Sequence, residues 1–353
     1  MVKTGSAIEE RLQRKATQAI ADLQGLRESK TEDIFTKRYW ISPEDLRIVD
    51  YPRTTPLAAF NPGAVLKGDK VYIFPRLICD YYSYTSSIAV VEVGVEELIN
   101  NEIAKPLKTR IILWPQRPWE AVKGCEDPRV SVVDDGFWVL YTGVGKHQVN
   151  GNDVRKSALG FAELDKEFNL QQKGFFTVED GESSFIPDNK DSALIAVRDR
   201  QATLLTRPMA IKDCPDMCWR AEADLERIVI PEMSLQPVLT PETWEYKVGW
   251  STNAVQLAHD EYLVGWHGVL REDLSYRNGL AIVDAQGRLK AVSDYLLAPQ
   301  GLWEEYGDRP LTIFGDGLLL YKDRLIWIGG VGDYCIGIFI TKLDDALARL
   351  RRV

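Results

Sequence analysis

Gly124-Cys125-Glu126-Asp127-Pro128-Arg129 brings two carboxylates and a guanidinium together just ahead of an apolar run. Adjacent side chains in an extended strand face opposite ways, so Glu126 and Asp127 need not share one task. One reading is structural, with an Asp paired to Arg129 in a turn closed by Pro128. The other is chemical. Carboxylate, arginine, asparagine and indole are what a sugar site requires: polar partners for vicinal hydroxyls, an aromatic platform, and an acid to protonate a leaving oxygen. Ten tryptophans make the platform easy to supply, although most are expected in the core. Trp266-His267-Gly268 holds a histidine that is either satisfied by backbone in the interior or, beside Arg and Lys, a ligand for an anion.

Other chemistries find less support. Gly329-Gly330-Val331-Gly332 is followed by Asp333 and a further strand pattern rather than a helix N-terminus, which argues against a nucleotide cradle. Gly-x-Ser-x-Gly, His-Glu-x-x-His and Walker patterns do not occur. The five cysteines are scattered, as reduced thiols are, and the close pair Cys214 and Cys218 would need two further ligands to hold zinc. No metal and no organic cofactor is expected.

The elements that must position these residues are mostly strands. Composition is that of a globular chain of 353 residues, 45% hydrophobic and 27% charged. A formal charge of -9 opposes binding to nucleic acid, which depends on neutralising phosphates with a basic surface. No apolar run approaches the ~18 residues of a membrane span, and residues 1 to 30 lack the apolar segment of a secretory signal. Cytoplasmic residence is the expectation.

Residues 6 to 28 carry helical periodicity through Ile8, Leu12, Ala16, Ala19, Ile20, Leu23 and Leu26. This amphipathic helix is expected either to pack on its own domain or to serve as a contact in a homo-oligomer. A short helical pattern returns at 341 to 351. Between them a polar loop, strand, tight turn and second strand recur five times, at 60–76, 125–143, 182–208, 251–268 and 309–333. Gly68-Asp69, Asp135-Gly136, His259-Asp260 and Lys322-Asp323 provide turn chemistry, and the third copy's turn is ambiguous. Radial stacking buries such units best, so the expectation is an all-β fold, a five-bladed β-propeller over 41–353 behind a helical extension at 1–40, with a two-sheet sandwich as the weaker alternative. In that geometry Asn61, Arg76, Glu126, Asp127, Arg129, Lys146, Glu182, Arg207, Asn253, His267 and Asp333 would converge at one end of a central channel.

With these residues in view, the chain resembles glycoside hydrolase family 130, the β-mannoside phosphorylases and related β-mannosidases, over nearly all of residues 40 to 345. The resemblance rests on Asn61-Pro62 with Arg76, the Gly-x-Glu-Asp-Pro-Arg hexapeptide, Arg207-Pro208, Trp266-His267-Gly268, Tyr276 to Asp284, Trp303 to Gly307 and Ile328 to Asp333. It implies a five-bladed propeller that cleaves β-mannosides with inversion, Asp127 acting as general acid on the glycosidic oxygen directly or through a sugar hydroxyl. It also implies that Asn61, Arg76 and Asp333, with Glu126 and Arg129 beside them, hold the mannosyl ring of an oligosaccharide or disaccharide. His267 matches a phosphate contact, with Arg207 and Arg155 or Lys156 nearby. The chain departs from the family where Lys-Asp ahead of an apolar strand is read as Gly181-Glu182, and where Asn253-Ala254 replaces Pro-Pro. Inorganic phosphate as co-substrate needs one acid and a cationic cradle, whereas an inverting hydrolase needs a second carboxylate, for which Glu182 is the candidate. Phosphorolysis with release of mannose 1-phosphate is preferred, with an inverting β-mannosidase and a non-catalytic carbohydrate-binding propeller as the alternatives.

Overall fold

Apolar runs broken by two-residue turns dictate antiparallel hairpins, and the computed structural model, described for residues 6–80, 82–149, 151–209, 211 and 213–353, is built from them. Helix α1 (Ser6–Leu23) precedes strands β1 (Lys37–Ile41) and β2 (Leu46–Ile48). A first meander comprises β3 (Ala58–Lys67), β4 (Lys70–Ile78), β5 (Ser86–Gly94) and, after α2 (Val95–Asn100), β6 (Leu107–Leu113). The second is β7 (Gly124–Val133), β8 (Gly136–Val149), β9 (Asn152–Asp165) and β10 (Leu170–Phe175). It meets the first through the parallel pairing of Ser86 with Gly124.

Short strands β11 (Thr177–Glu179) and β12 (Ser184–Phe185) lead into β13 (Asp188–Arg198), β14 (Gln201–Met209), β15 (Cys218–Asp224), β16 (Val229–Pro231) and β17 (Gln236–Leu239). The fourth meander is β18 (Glu245–Ala258), β19 (Glu261–Leu270), β20 (Tyr276–Val283) and β21 (Leu289–Val292). After α3 (Leu302–Glu305) the last is β22 (Ile313–Tyr321), β23 (Arg324–Val331) and β24 (Cys335–Lys342), completed on its outer edge by β1. Helix α4 (Leu343–Leu347) and β25 (Arg351–Arg352) end the chain, β25 pairing with β21. The first strands of the meanders are neighbours: β3 lies against β22 and β7, β13 against β7 and β18, and β18 against β22. Apolar side chains fill the spaces between meanders, as where Val65, Phe74 and Ile88 meet Val130, Phe137 and Val139.

The expected hairpins are present, with shifts that have local causes. Gly68-Asp69, His259-Asp260 and Lys322-Asp323 are the turn residues, since the flanking residues pair across each turn. In the second copy the turn is Asp134-Asp135, because Gly136 already pairs with Val133. The ambiguous third turn is Asp199-Arg200, both left-handed at φ 46° and 67°. That third copy begins at Asp188 rather than Glu182: Val178 and Glu179 pair with Phe185 and Ser184, which leaves Glu182 in a small hairpin turn ahead of the strand.

The N-terminal segment is not a separable extension, and the division expected at residue 40 falls inside β1. Helix α1 buries Ile8, Leu12 and Ala16 in the same core as Trp219, Leu235 and Trp250. Arg11 binds Asp180 at 2.6 Å and Glu232 at 2.9 Å, and Lys15 reaches Glu232 at 3.1 Å. The helix stops at Leu23, short of the expected residue 28, where Gly25 takes φ 87° and turns the chain inward. Arg27 then enters the core. It donates to both carboxylate oxygens of Glu245, at 2.6 and 2.7 Å, and lies 4.4 Å over the ring of Trp266. The C-terminal helix is also shorter than its pattern, since Thr341 is held in the ladder opposite Leu325. Among the described residues no helix is long and apolar enough to cross a membrane.

Removing one member of a buried ion pair leaves the other charge uncompensated, at a cost of about 3–5 kcal/mol. Arg27→Ala is therefore expected to lower the unfolding free energy by about that amount in urea titration. An unchanged midpoint would show that the N-terminal segment is not anchored through this pair.

Candidate active site

Each of the first strands carries a register shift at a corresponding place: between Phe60 and Gly63, Glu126 and Arg129, Lys190 and Ala193, Trp250 and Ala254, and Gly315 and Gly317. An extra residue in one strand of a ladder kinks it and re-aims a side chain. At three of these bulges the re-aimed residue is Asn61, Asp127 or Asp191, with φ 42°, 52° and 54°. Pro62 and Pro128 follow two of them, and proline suits a place where no ladder hydrogen bond is donated. Asp333, φ 52°, sits with Gly332 in the left-handed turn between β23 and β24.

These side chains surround a cavity of about 150 Å³, lined also by Arg76, Lys190, Arg207, Lys247, Tyr276 and Arg309. Arg76 organises one wall. Its Nη1 donates to Asp127 Oδ1 at 3.0 Å, its Nη2 to Glu126 Oε1 at 2.9 Å and its Nε to Ser86 Oγ at 2.8 Å. Asn61 Nδ2 donates to the same Asp127 oxygen at 2.9 Å. Lys190 Nζ binds the other oxygen of Glu126 at 3.1 Å. Glu126 thus anchors two cations from behind, while Asp127 faces the cavity.

Arg129 lies beneath, fully buried. It does not form the carboxylate pair in a turn that the hexapeptide alone allows; its Nη1 donates to the Asp127 carbonyl at 2.9 Å, and its Nη2 stands 2.9 Å from Asp316. On the opposite wall Arg207 donates through Nε to Asp191 and through Nη1 to Asp216 at 2.8 Å. His267 Nε2 stands 3.7 Å from Asp191, and its Nδ1 3.0 Å from Ser251 Oγ. The imidazole is packed between Tyr276 at 5.3 Å and Phe314 at 5.0 Å.

Burial raises the proton affinity of the Asp127 carboxyl, but Arg76, Lys190 and Arg129 outweigh it and hold this group below the ordinary aspartate range. Burial dominates at Asp333, which is pushed up to about 6 in spite of Arg76. The two carboxyls of one cavity are thus driven in opposite directions. Burial lowers the proton affinity of His267 well below the ordinary imidazole range, and the ring, fully buried, lies behind Asp191 and does not line the cavity. Lys247 is brought down to about 7 by burial and by Arg207. Its Nζ lies 5.7 Å over Tyr276, and Arg309 lies 4.8 Å over the same ring.

Several residues read from the sequence lie elsewhere. Glu182 is exposed, in a turn whose Asp180 is held by Arg11. Arg155 and Lys146 are exposed where β8 and β9 run on past the cavity. Lys156 pairs with Asp188 at 3.6 Å and does not line the cavity. Asn253 uses its amide to bind the Leu318 backbone at 3.0 and 2.8 Å, tying β18 to β22. The Lys-Asp pair thought to be replaced by Gly181-Glu182 is present as Lys190-Asp191, at the start of the apolar strand β13. Its signal was legible in Lys190-Asp191-Ser192 ahead of Ala193 to Val197, but the short hairpin before it displaced the reading. Lys247 and Arg309 had no comparable local signal. Among the described residues no group of three or more His, Cys, Asp or Glu is arranged to hold a metal ion.

Residues 25–352 match the profile of glycoside hydrolase family 130, described as beta-1,4-mannooligosaccharide phosphorylase. The chain belongs to glycoside hydrolase family 130. It is 27% identical over 305 residues to a beta-1,2-mannobiose phosphorylase of Thermoanaerobacter sp. (strain X514), covering 81% of this chain and 91% of that protein. A 1,2-beta-oligomannan phosphorylase of the same organism is 24% identical over 230 residues, covering 64% and 71%. In three dimensions the chain is similar to the beta-1,2-mannobiose phosphorylase of Listeria innocua in complex with beta-1,2-mannobiose, with TM-score 0.67, 17% identity, and coverage of 88% of this chain and 98% of that one. Family 130 membership makes this chain an enzyme acting on β-mannosides. The mostly β architecture matches the family's fold.

A Cβ built on Gly249 would stand 2.5 Å from Asp191, 2.6 Å from His267 and 2.8 Å from Arg207, so this backbone must be glycine to pass behind the cationic wall. Gly249→Ala is expected to cost about 1–3 kcal/mol by overpacking and to disturb the cationic wall. Thermal unfolding together with kinetics checks both effects, and wild-type values in both would show that the wall has slack.

Proposed function

We propose that this family 130 enzyme cleaves β-mannosides by phosphorolysis with inversion, releasing mannose 1-phosphate. The observation that carries the reading is the asymmetry of the cavity: Asp127 with Asn61, Arg76 and Lys190 on one side, and Arg207, with Lys247 and Arg309 over Tyr276, on the other. Phosphate arrives as an anionic nucleophile and needs cations to hold it opposite the leaving group, not a base to activate it. Glu182 is outside this cavity, so the carboxylate that would have served a water nucleophile is not beside the acid. Asp191, which is inside, already faces Arg207.

In this reading Asn61, Arg76 and Asp333 bind the mannosyl hydroxyls. A phosphate oxygen forms the new bond to the anomeric carbon as the glycosidic C–O bond breaks. Asp127 passes a proton to the departing oxygen, directly or through a sugar hydroxyl. Substrate replaces a donor on Asp127 and raises its proton affinity, offsetting the pull of Arg76. The proton count closes because hydrogen phosphate enters with one proton, which replaces on Asp127 the proton given to the departing oxygen, and leaves as an ester without it. The five meanders, their first strands side by side and the last completed by β1, support a five-bladed propeller with this cavity at one end of its axis. Residues 6–40 belong to that single catalytic unit.

Incubation with β-1,2- and β-1,4-mannobiose, with and without phosphate, tests the reaction. Mannose 1-phosphate formed only with phosphate is the expected result, and mannose released independently of phosphate would establish hydrolysis instead. Asp127→Asn should lower turnover by about 10²-fold or more, and near-full activity on an unactivated β-mannoside would refute its role.

Asp333 accepts sugar hydroxyls through both oxygens when ionised and turns one of them into a donor on protonation, so kcat/KM is expected to fall as pH drops through about 6, and Asp333→Asn should remove that limb. A profile that instead rises below this pH would make Asp333 the proton donor.

A further inference from the structure

Only Trp114 and Trp303 among the ten tryptophans are largely exposed, and Trp303 is stacked on Trp40 at 5.4 Å. Trp114, 46% exposed, has no aromatic partner among the described residues. With Tyr51, 50% exposed, it lines a second cavity of about 380 Å³, together with Asp50, Asp80, Thr85 and Ser87. That volume lies in the range of about 300–1,000 Å³ typical of ligand sites. Exposed indole and phenol rings set around a concavity mark a binding surface rather than leftover apolar area.

The lining specifies the kind of ligand. Aromatic faces accept the C–H faces of a pyranose, and carboxylates and hydroxyls take its equatorial and axial hydroxyl groups. Asp50 is oriented by the Ile111 amide, which donates to its oxygens at 3.2 and 3.1 Å. Asp80 accepts from the Ser83 amide at 3.2 Å. Both carboxylates keep lone pairs for a ligand.

Position connects this groove to the cavity already described. Ser86, at the start of β5, lines the groove and also receives Arg76 Nε at 2.8 Å, and Arg76 holds Asp127. Ser86 and Arg76 thus link the groove to the proposed acid through two successive hydrogen bonds. Tyr84, two residues earlier, reaches across to Asp308 at 2.9 Å, on the side of Asp333.

We infer that the groove of Trp114 and Tyr51 is a distal sugar subsite, on which the units of a β-mannooligosaccharide beyond the cleaved bond rest. It rests on the proposed reaction for its choice of sugar. The chain is thereby suited to oligosaccharides longer than a disaccharide, with Trp114 a residue that determines preference for chain length.

The test uses the full chain with β-1,2- and β-1,4-linked mannobiose, mannotriose and mannotetraose. KM is expected to fall with chain length in the wild type. Trp114→Ala should raise KM for mannotetraose by about 10-fold, the scale of one lost aromatic platform, with mannobiose kinetics and kcat unchanged. Trp114→Phe should restore most of the preference. A chain-length dependence identical in wild type and Trp114→Ala overturns the inference and leaves phosphorolysis intact. Calorimetric titration of mannotetraose into the wild type and Trp114→Ala reads binding without turnover. If no β-mannoside is cleaved, the proposed reaction fails, whereas the groove stands or falls on whether Trp114→Ala weakens this binding.

Discussion

Charges cannot be buried singly, and the interlocked cluster around Arg76 is the interaction on which the remaining site geometry depends. Arg76 binds Glu126 and Asp127, Glu126 binds Lys190, Arg129 stands between Asp316 and Asp191, and Arg207 closes onto Asp191 and Asp216. The desolvation cost of most of these ions is offset by a neighbour of opposite sign that is itself held by a second partner; Asp316 differs, since burial and the nearby Asp127 and Asp191 push its carboxyl well up. These contacts join strands from four different meanders, Asp316 belonging to β22, so the cluster also fixes how those meanders sit against one another. Arg129, which donates to the Ser251 carbonyl at 2.7 Å, extends the linkage to the fifth.

The backbone contribution is equally specific. Left-handed φ at Asn61, Asp127, Asp191 and Asp333 is uncommon for residues with a Cβ and persists where surrounding structure over-determines it. At Asn61, Asp127 and Asp191 the surrounding structure is the ladder on either side of the bulge, and at Asp333 it is the turn between β23 and β24. The strands provide rigidity, and the bulge provides the one residue whose side chain leaves the regular alternation. Repetition of that device in neighbouring strands brings polar groups from distant parts of the chain to one small volume.

Chemistry then follows from how the charges are divided. Asp127 is held ionised by cations on its own wall, Asp333 is driven toward protonation by burial, and His267 is kept neutral. The positive charge that faces the cavity comes from lysine and arginine, among them Lys247, whose charge is balanced near neutral pH. An anionic nucleophile suits that wall better than a water molecule awaiting a base. The N-terminal helix takes no part in this and buries Ile8, Leu12 and Ala16 in the core of its own chain.

The sequence by itself determined the hairpins, most of their turns, and the residues of Asn61-Pro62, Arg76, Glu126-Asp127-Pro128-Arg129, Arg207 and Asp333, because turn chemistry and strand alternation are local and the motifs are contiguous. It also pointed to family 130 through those motifs. It could not place the third strand pair, since a short hairpin at 177–185 imitates the start of the repeat and puts Glu182 where Lys190-Asp191 belongs. Nor could it distinguish Arg155 and Lys156, which lie near in the chain but beyond the cavity, from Lys247 and Arg309, which have no motif and arrive from other meanders. Convergence, burial and the charge state of His267, Lys247 and Asp333 were decided only by the tertiary structure, because each depends on desolvation and on partners scores of residues away.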